Sequence, residues 1–200
     1  MFYHRSPHII VVDSFLADPD MVRNIALQQE FHEDIRGYKG VRSKPFRWPF
    51  LKEEFERLIG AEITDWISQS QNGVFQKTWD ECALVTHSDS QHWAGAIYLN
   101  PNAPLDSGTS FWRHKTHGCR RPPNHPFEDK VEWRAIQADM YSEYNLLHED
   151  NWELVDKVAN IYGRLVLWQG SLVHRATSYQ GFTKENPRLA QLWFFCTKTV

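Results

Sequence analysis

The sequence predicts a mostly β chain with flanking helices: a jelly-roll (double-stranded β-helix) barrel braced by an N-terminal helical buttress. Three observations lead there. Apolar residues recur at helical spacing only in the leading third of the chain. From Phe75 onward the pattern changes to many short apolar runs divided by turn residues. The 200 residues, 42% hydrophobic and 14% aromatic, suit one packed domain over 1–200 rather than a disordered chain.

The elements follow in order. His8-Ile9-Ile10-Val11-Val12 reads as a strand. Asp18-Pro19 marks a helix start, a capping side chain followed by a first-turn proline, and Val22, Ile25, Ala26 and Gln29 share one face beyond it. A loop rich in Gly, Lys and Arg is expected over Gly37–Pro49. Leu51, Phe55, Leu58 and Ile59 form a second helical stripe, and Ile63, Trp66 and Ile67 repeat it past Gly60. Strands are then expected at Phe75–Trp79, Ala83–His87, Ala94–Leu99, Ser110–Trp112, Leu165–Trp168, Leu172–His174 and Leu189–Cys196. Lys115–Asn151 is the least regular stretch. It is too long for an idle connection and reads as a lid or mouth segment.

Composition narrows the function. A net charge of −3 argues against a nucleic-acid partner. The short apolar run Ile9–Val12 is neither a signal segment nor a membrane span, so no membrane partner is expected. Three widely spaced cysteines fit reduced thiols in a cytoplasmic protein. Nine tryptophans supply mainly core bulk, and some are candidates for a cavity wall.

The chemistry gathers around His87-Ser88-Asp89. Two residues apart on a strand, a His and an Asp point to one face and can grip one metal ion. His174 completes two imidazoles and one carboxylate, the set that holds non-haem Fe(II) while leaving coordination positions open. Arg188 follows at the head of an apolar run, where its guanidinium can clamp a carboxylate with two hydrogen bonds. The tripeptide alone is weak, because His32-Glu33-Asp34 and His148-Glu149-Asp150 repeat it. Only the copy at His87 lies between two apolar runs. His114-x-x-His117-x-Cys119 has a faint zinc-site look, but no second ligand pair accompanies it.

Four blocks resemble the Fe(II)/2-oxoglutarate-dependent dioxygenases, especially their prolyl-4-hydroxylase-like branch. Val85-Thr86-His87-Ser88-Asp89 resembles the strand of the proximal ligands, and Ala96-Ile97-Tyr98-Leu99-Asn100 the family's Tyr-Leu-Asn strand. Gly163–Trp168 through His174 resembles the strand leading to the distal ligand, and Pro187-Arg188-Leu189 to Phe195 the closing strand. The resemblance implies Fe(II) on His87, Asp89 and His174, with 2-oxoglutarate held by Arg188 and Tyr98. It implies oxidation of a small molecule, amino acid or peptide side chain, with release of succinate and CO2. Arg42 is a candidate substrate contact. The chain departs from the family in the long Lys115–Asn151 excursion, and in Ser107-Gly108-Thr109 where relatives carry Gly-Gly-Glu. Two other readings stand beside this one: a non-catalytic jelly-roll binding or sensing module, and a cupin-like metalloenzyme that does not use 2-oxoglutarate.

Overall fold

The computed structural model describes residues 7–33, 40–123 and 131–198. Asp34, the first three residues of the expected Gly37–Pro49 loop and residues 124–130 of the excursion lie outside them. Among the described residues, ten strands form two antiparallel sheets. The large sheet has the order β1-β8-β5-β10-β4-β3-β2 and the small one β7-β6-β9. In chain order these are β1 (Ile9–Val12), β2 (His32–Glu33), β3 (Val41–Arg42), β4 (Val74–Thr78) and β5 (Trp93–Tyr98), then β6 (Thr109–His114), β7 (Trp152–Val158), β8 (Leu165–Gln169), β9 (His174–Ala176) and β10 (Arg188–Phe195).

Strand alternation sorts the large sheet into two unlike faces. Outward go Trp93, Ile97, Leu165, Leu167, Trp193 and Phe195. Onto them pack α1 (Pro19–Leu27) through Val22 and Ala26, and α2 (Leu51–Ile59) through Leu51, Phe55 and Ile59. This is the helical buttress, and Asp18 caps α1 by accepting from Met21 N at 2.9 Å. Inward go Ala94, Ala96, Tyr98, Val166, Trp168 and Ala190, against Phe111 and Val158 of the small sheet. On β5 the small side chain of Ala96 lines the cavity described below.

Several sequence expectations are corrected. Ile63, Trp66 and Ile67 do not continue a helix. Trp66 stacks on Trp193 at 5.1 Å and Ile63 bridges Thr197, while Ile67 is 72% exposed. Ala83–His87 is not a strand, since only His87 makes a bridge, to His174. The Leu172–His174 run pairs as β9 only from His174 on. Strand β7, unexpected, is an edge strand exposed at its five central residues, so no alternation marks it in the sequence. A short strand, β2, precedes the expected Gly37–Pro49 loop, and another, β3, lies within it. The excursion contains two helices, α3 (Val131–Met140) and α4 (Glu143–Leu147). Among the described residues no helix is long and apolar enough to cross a membrane.

Candidate metal centre and its cavity

His87 and His174 exchange two backbone hydrogen bonds, His87 N to His174 O at 3.0 Å and His174 N to His87 O at 2.8 Å. The 87 segment thereby lies along the β9 edge of the small sheet. Asp89 N donates to Gly170 O at 2.8 Å, tying the carboxylate to the turn after β8. Gly170 is required there, because a Cβ would sit 2.2 Å from Gln91 O.

These backbone bonds bring the three side chains together. The imidazole centroids of His87 and His174 are 4.5 Å apart. Asp89 Oδ1 is 3.8 Å from His87 Nε2, and Asp89 Oδ2 is 3.4 Å from His174 Nε2. Each histidine is oriented from behind. His87 Nδ1 lies 2.8 Å from Val85 O, and His174 Nδ1 lies 2.8 Å from Leu172 O. A carbonyl can only accept, so each Nδ1 carries the proton and each Nε2 keeps its lone pair for the centre. Burial, then the neighbouring His87, push His174 down to about 4 from the ordinary 6.5. Its ring is therefore neutral, the form a metal needs. Asp89 Oδ2 is buried without a hydrogen-bond partner. An orphaned carboxylate oxygen beside two aimed lone pairs suits a divalent cation, which would meet all three at once.

The triad opens on a cavity of about 450 Å³ whose lining includes Arg42, Gln76, Thr109, Arg175, Tyr179 and Arg188. Arg188, 4% exposed, heads β10 and points inward with Leu192 and Phe194. Its Nε donates to Ser107 O at 2.7 Å and its Nη2 lies 3.4 Å from Gly108 O. Gly108 passes so close to Val158 O that a Cβ would come within 1.9 Å of it. No carboxylate pairs with Arg188 among the described residues, so a buried cation borders the cavity with carbonyls and aromatic rings around it but no counterion. Arg175 is also buried, but Glu149 neutralises it and Trp112 lies 5.2 Å from its guanidinium.

Tyr98 lies 5.4 Å beneath the Arg188 guanidinium, but its hydroxyl is engaged with Thr109 Oγ1 at 2.7 Å. Thr109, not Tyr98, borders the cavity. Arg42 borders it as well and donates to Gln71 Oε1 at 2.6 Å. The sequence reading missed Tyr179, whose ring lies 5.9 Å from Arg188 and whose burial pushes its phenol up. Gln76 of β4, which also lines the cavity, was not singled out either. The 115–151 excursion reaches this site: Thr86 N donates to Leu146 O at 2.8 Å, Ser88 Oγ meets Tyr141 Oη at 2.6 Å, and Leu146 lines the cavity.

No protein-family model matches the sequence, and no curated protein matches it either. Solved structures do match in fold. HygX from Streptomyces hygroscopicus, solved with nickel, 2-oxoglutarate and hygromycin B bound, superimposes over 96% of this chain and 84% of its own. Its TM-score is 0.54 at 12% identity. The non-haem α-ketoglutarate-dependent epimerase SnoN from nogalamycin biosynthesis covers 98% of this chain and 81% of its own, with a TM-score of 0.54 at 15% identity. A Pseudomonas putida prolyl-4-hydroxylase aligns over 96% and 94% at a TM-score of 0.47 and 13% identity. The first two superpositions establish that the chain has the jelly-roll fold of such 2-oxoglutarate enzymes.

Proposed function

We propose that this chain is an Fe(II)- and 2-oxoglutarate-dependent dioxygenase of the superfamily it resembles. It hydroxylates a small molecule, an amino acid or a peptide side chain. The observation that carries the reading is the pairing of two features in one cavity. A two-histidine, one-carboxylate triad has both imidazole lone pairs aimed by backbone carbonyls, and a buried arginine with no carboxylate partner among the described residues borders the same space. HygX is a structure of the same fold with a metal and 2-oxoglutarate bound, which supports the same pair of ligands here.

His87, Asp89 and His174 would hold the iron, and Fe(II) supplies dioxygen chemistry that no side chain offers. Arg188 binds the far carboxylate of 2-oxoglutarate through its planar fork, with the Thr109 hydroxyl beside it and Tyr98 supporting both from behind. The apolar wall of Ala96, Trp168, Leu192 and Phe194 excludes water around the bound co-substrate. Arg42 and Gln71 face the remaining space and contact the primary substrate. A cupin-like metalloenzyme without 2-oxoglutarate would leave Arg188 a buried charge with no counterion. A purely non-catalytic module would have no use for two pre-oriented imidazoles.

Anaerobic titration of the purified protein with Fe(II) and then 2-oxoglutarate tests this. The expected result is a weak visible charge-transfer band that saturates at one equivalent of each. Iron binding with no response to 2-oxoglutarate would favour the cupin-like reading.

A further inference from the structure

A second histidine–aspartate cluster lies outside the cavity, and the function proposed above does not use it. His114 ends β6, His117 follows in the tight turn closed by Gly118 N to His114 O at 2.8 Å, and Asp139 is the penultimate residue of α3. The three ligand atoms lie within 4.8 Å of one another. His117 Nε2 is 2.7 Å and His114 Nε2 3.9 Å from Asp139 Oδ2. The two imidazole centroids are 4.8 Å apart, close to the 4.5 Å between His87 and His174. The two rings are stacked, their planes 16° apart, so sharing one ion requires one of them to turn its Nε2 toward the common point.

The polar groups around the cluster are incompletely satisfied. His114 is 1% exposed, and its Nδ1 has no hydrogen-bond partner. Its Nε2 has only a long contact, 3.3 Å, to the Asn145 amide. That amide already makes a shorter bond to Asp139 O at 2.7 Å, so a cation at His114 Nε2 would displace little. Asp139 is half exposed and His117 is 22% exposed, which leaves the ion a route from solvent. The donor set, two imidazoles and one carboxylate with room for water, matches a zinc site of three protein ligands.

We propose that His114, His117 and Asp139 form a second divalent-metal site, best suited to Zn(II), that pins α3 to the end of β6. A single ion there would tie the start of the excursion to α3 within it. The proposal stands independently of the iron chemistry, because none of its ligands borders the cavity.

Zn(II) uptake by the metal-stripped full chain tests it, measured by equilibrium dialysis. The wild type is expected to bind two equivalents. His87→Ala/His174→Ala should retain one, and so should His117→Ala and Asp139→Asn, the latter a change at a half-exposed residue that the fold tolerates. The triple variant His87→Ala/His174→Ala/Asp139→Asn should bind none. In the cavity-site double variant, Zn(II) at ten times its Kd should slow amide exchange across 131–147 about tenfold. A cavity-site double variant that binds no Zn(II) would overturn the second site, as would Asp139→Asn and His117→Ala chains that both still bind two. Unchanged exchange across 131–147 would overturn the clamp.

Discussion

Two triads of the same composition lie in this molecule, and they are built differently. At His87, Asp89 and His174 both imidazoles are fixed from behind by carbonyls at 2.8 Å, and the carboxylate is mostly buried with one oxygen unpartnered. At His114, His117 and Asp139 no such support reaches His114 Nδ1, and the carboxylate is half exposed and already bonded to His117. The first triad is held ready by the sheet edge, whereas the second must rearrange to ligate. Pre-orientation by outer hydrogen bonds is worth one to two orders of magnitude in metal affinity. A buried cation, Arg188, borders the same cavity as the first triad. Composition alone therefore does not make a reaction centre; support and surroundings do.

The largest expected effect is at the cavity triad. His87→Ala or His174→Ala should abolish iron uptake at that site and with it all turnover of 2-oxoglutarate, read by iron content and succinate release. Retention of wild-type iron in both variants would erase the distinction between the triads.

A smaller effect follows from His174 in the metal-free protein. Its folded value is about 4 against 6.5 for an ordinary histidine, so between those pH values the unfolded chain binds the extra proton. Stability contributed by the neutral ring is complete above pH 6.5 and is lost as pH falls toward 4. The full loss is about 3 kcal/mol. Urea unfolding of metal-stripped wild type and His174→Gln from pH 7 to 4 should show a steeper decline in the wild type. Parallel curves would contradict it.

Arg188→Ala should weaken 2-oxoglutarate binding about ten- to a hundredfold, the worth of a charged hydrogen-bonded partner, and leave metal content unchanged. Arg188→Lys should recover only part, because a point charge lacks the fork. Calorimetry on the Mn(II)-loaded protein reads this directly, and indifference to Arg188 would remove the feature that most separates the two triads. Smallest is Tyr141→Phe, which deletes the bond to Ser88 between the excursion and the cavity segment and should cost about 1 kcal/mol of stability. An unchanged urea midpoint would show that this contact does not hold the cover down.

Much of this was legible in the sequence where one local rule decided the outcome. Asp18-Pro19 started α1 as capping chemistry requires, and the runs at β4, β5, β8 and β10 paired within a residue or two of expectation. Elements failed where tertiary contacts won. The apolar stretch before His87 sends Ala83 and Val85 to the cavity and Thr86 N to Leu146 instead of pairing as a strand. Trp66 leaves its helical stripe for the face of Trp193. The surface triad was half visible as His114-x-x-His117, but Asp139 arrives from α3, and sequence spacing carried no sign of it. Tyr179 follows β9 in a turn, where no periodicity marks a cavity residue.

The central claim is that the cavity triad holds the metal and Arg188 the co-substrate. Anomalous diffraction from a crystal loaded with Mn(II) and 2-oxoglutarate without oxygen tests it most directly. The account predicts a manganese peak between His87 Nε2, Asp89 and His174 Nε2, with the far carboxylate of 2-oxoglutarate on the Arg188 guanidinium. A peak elsewhere, or 2-oxoglutarate bound without contact to Arg188, would contradict it.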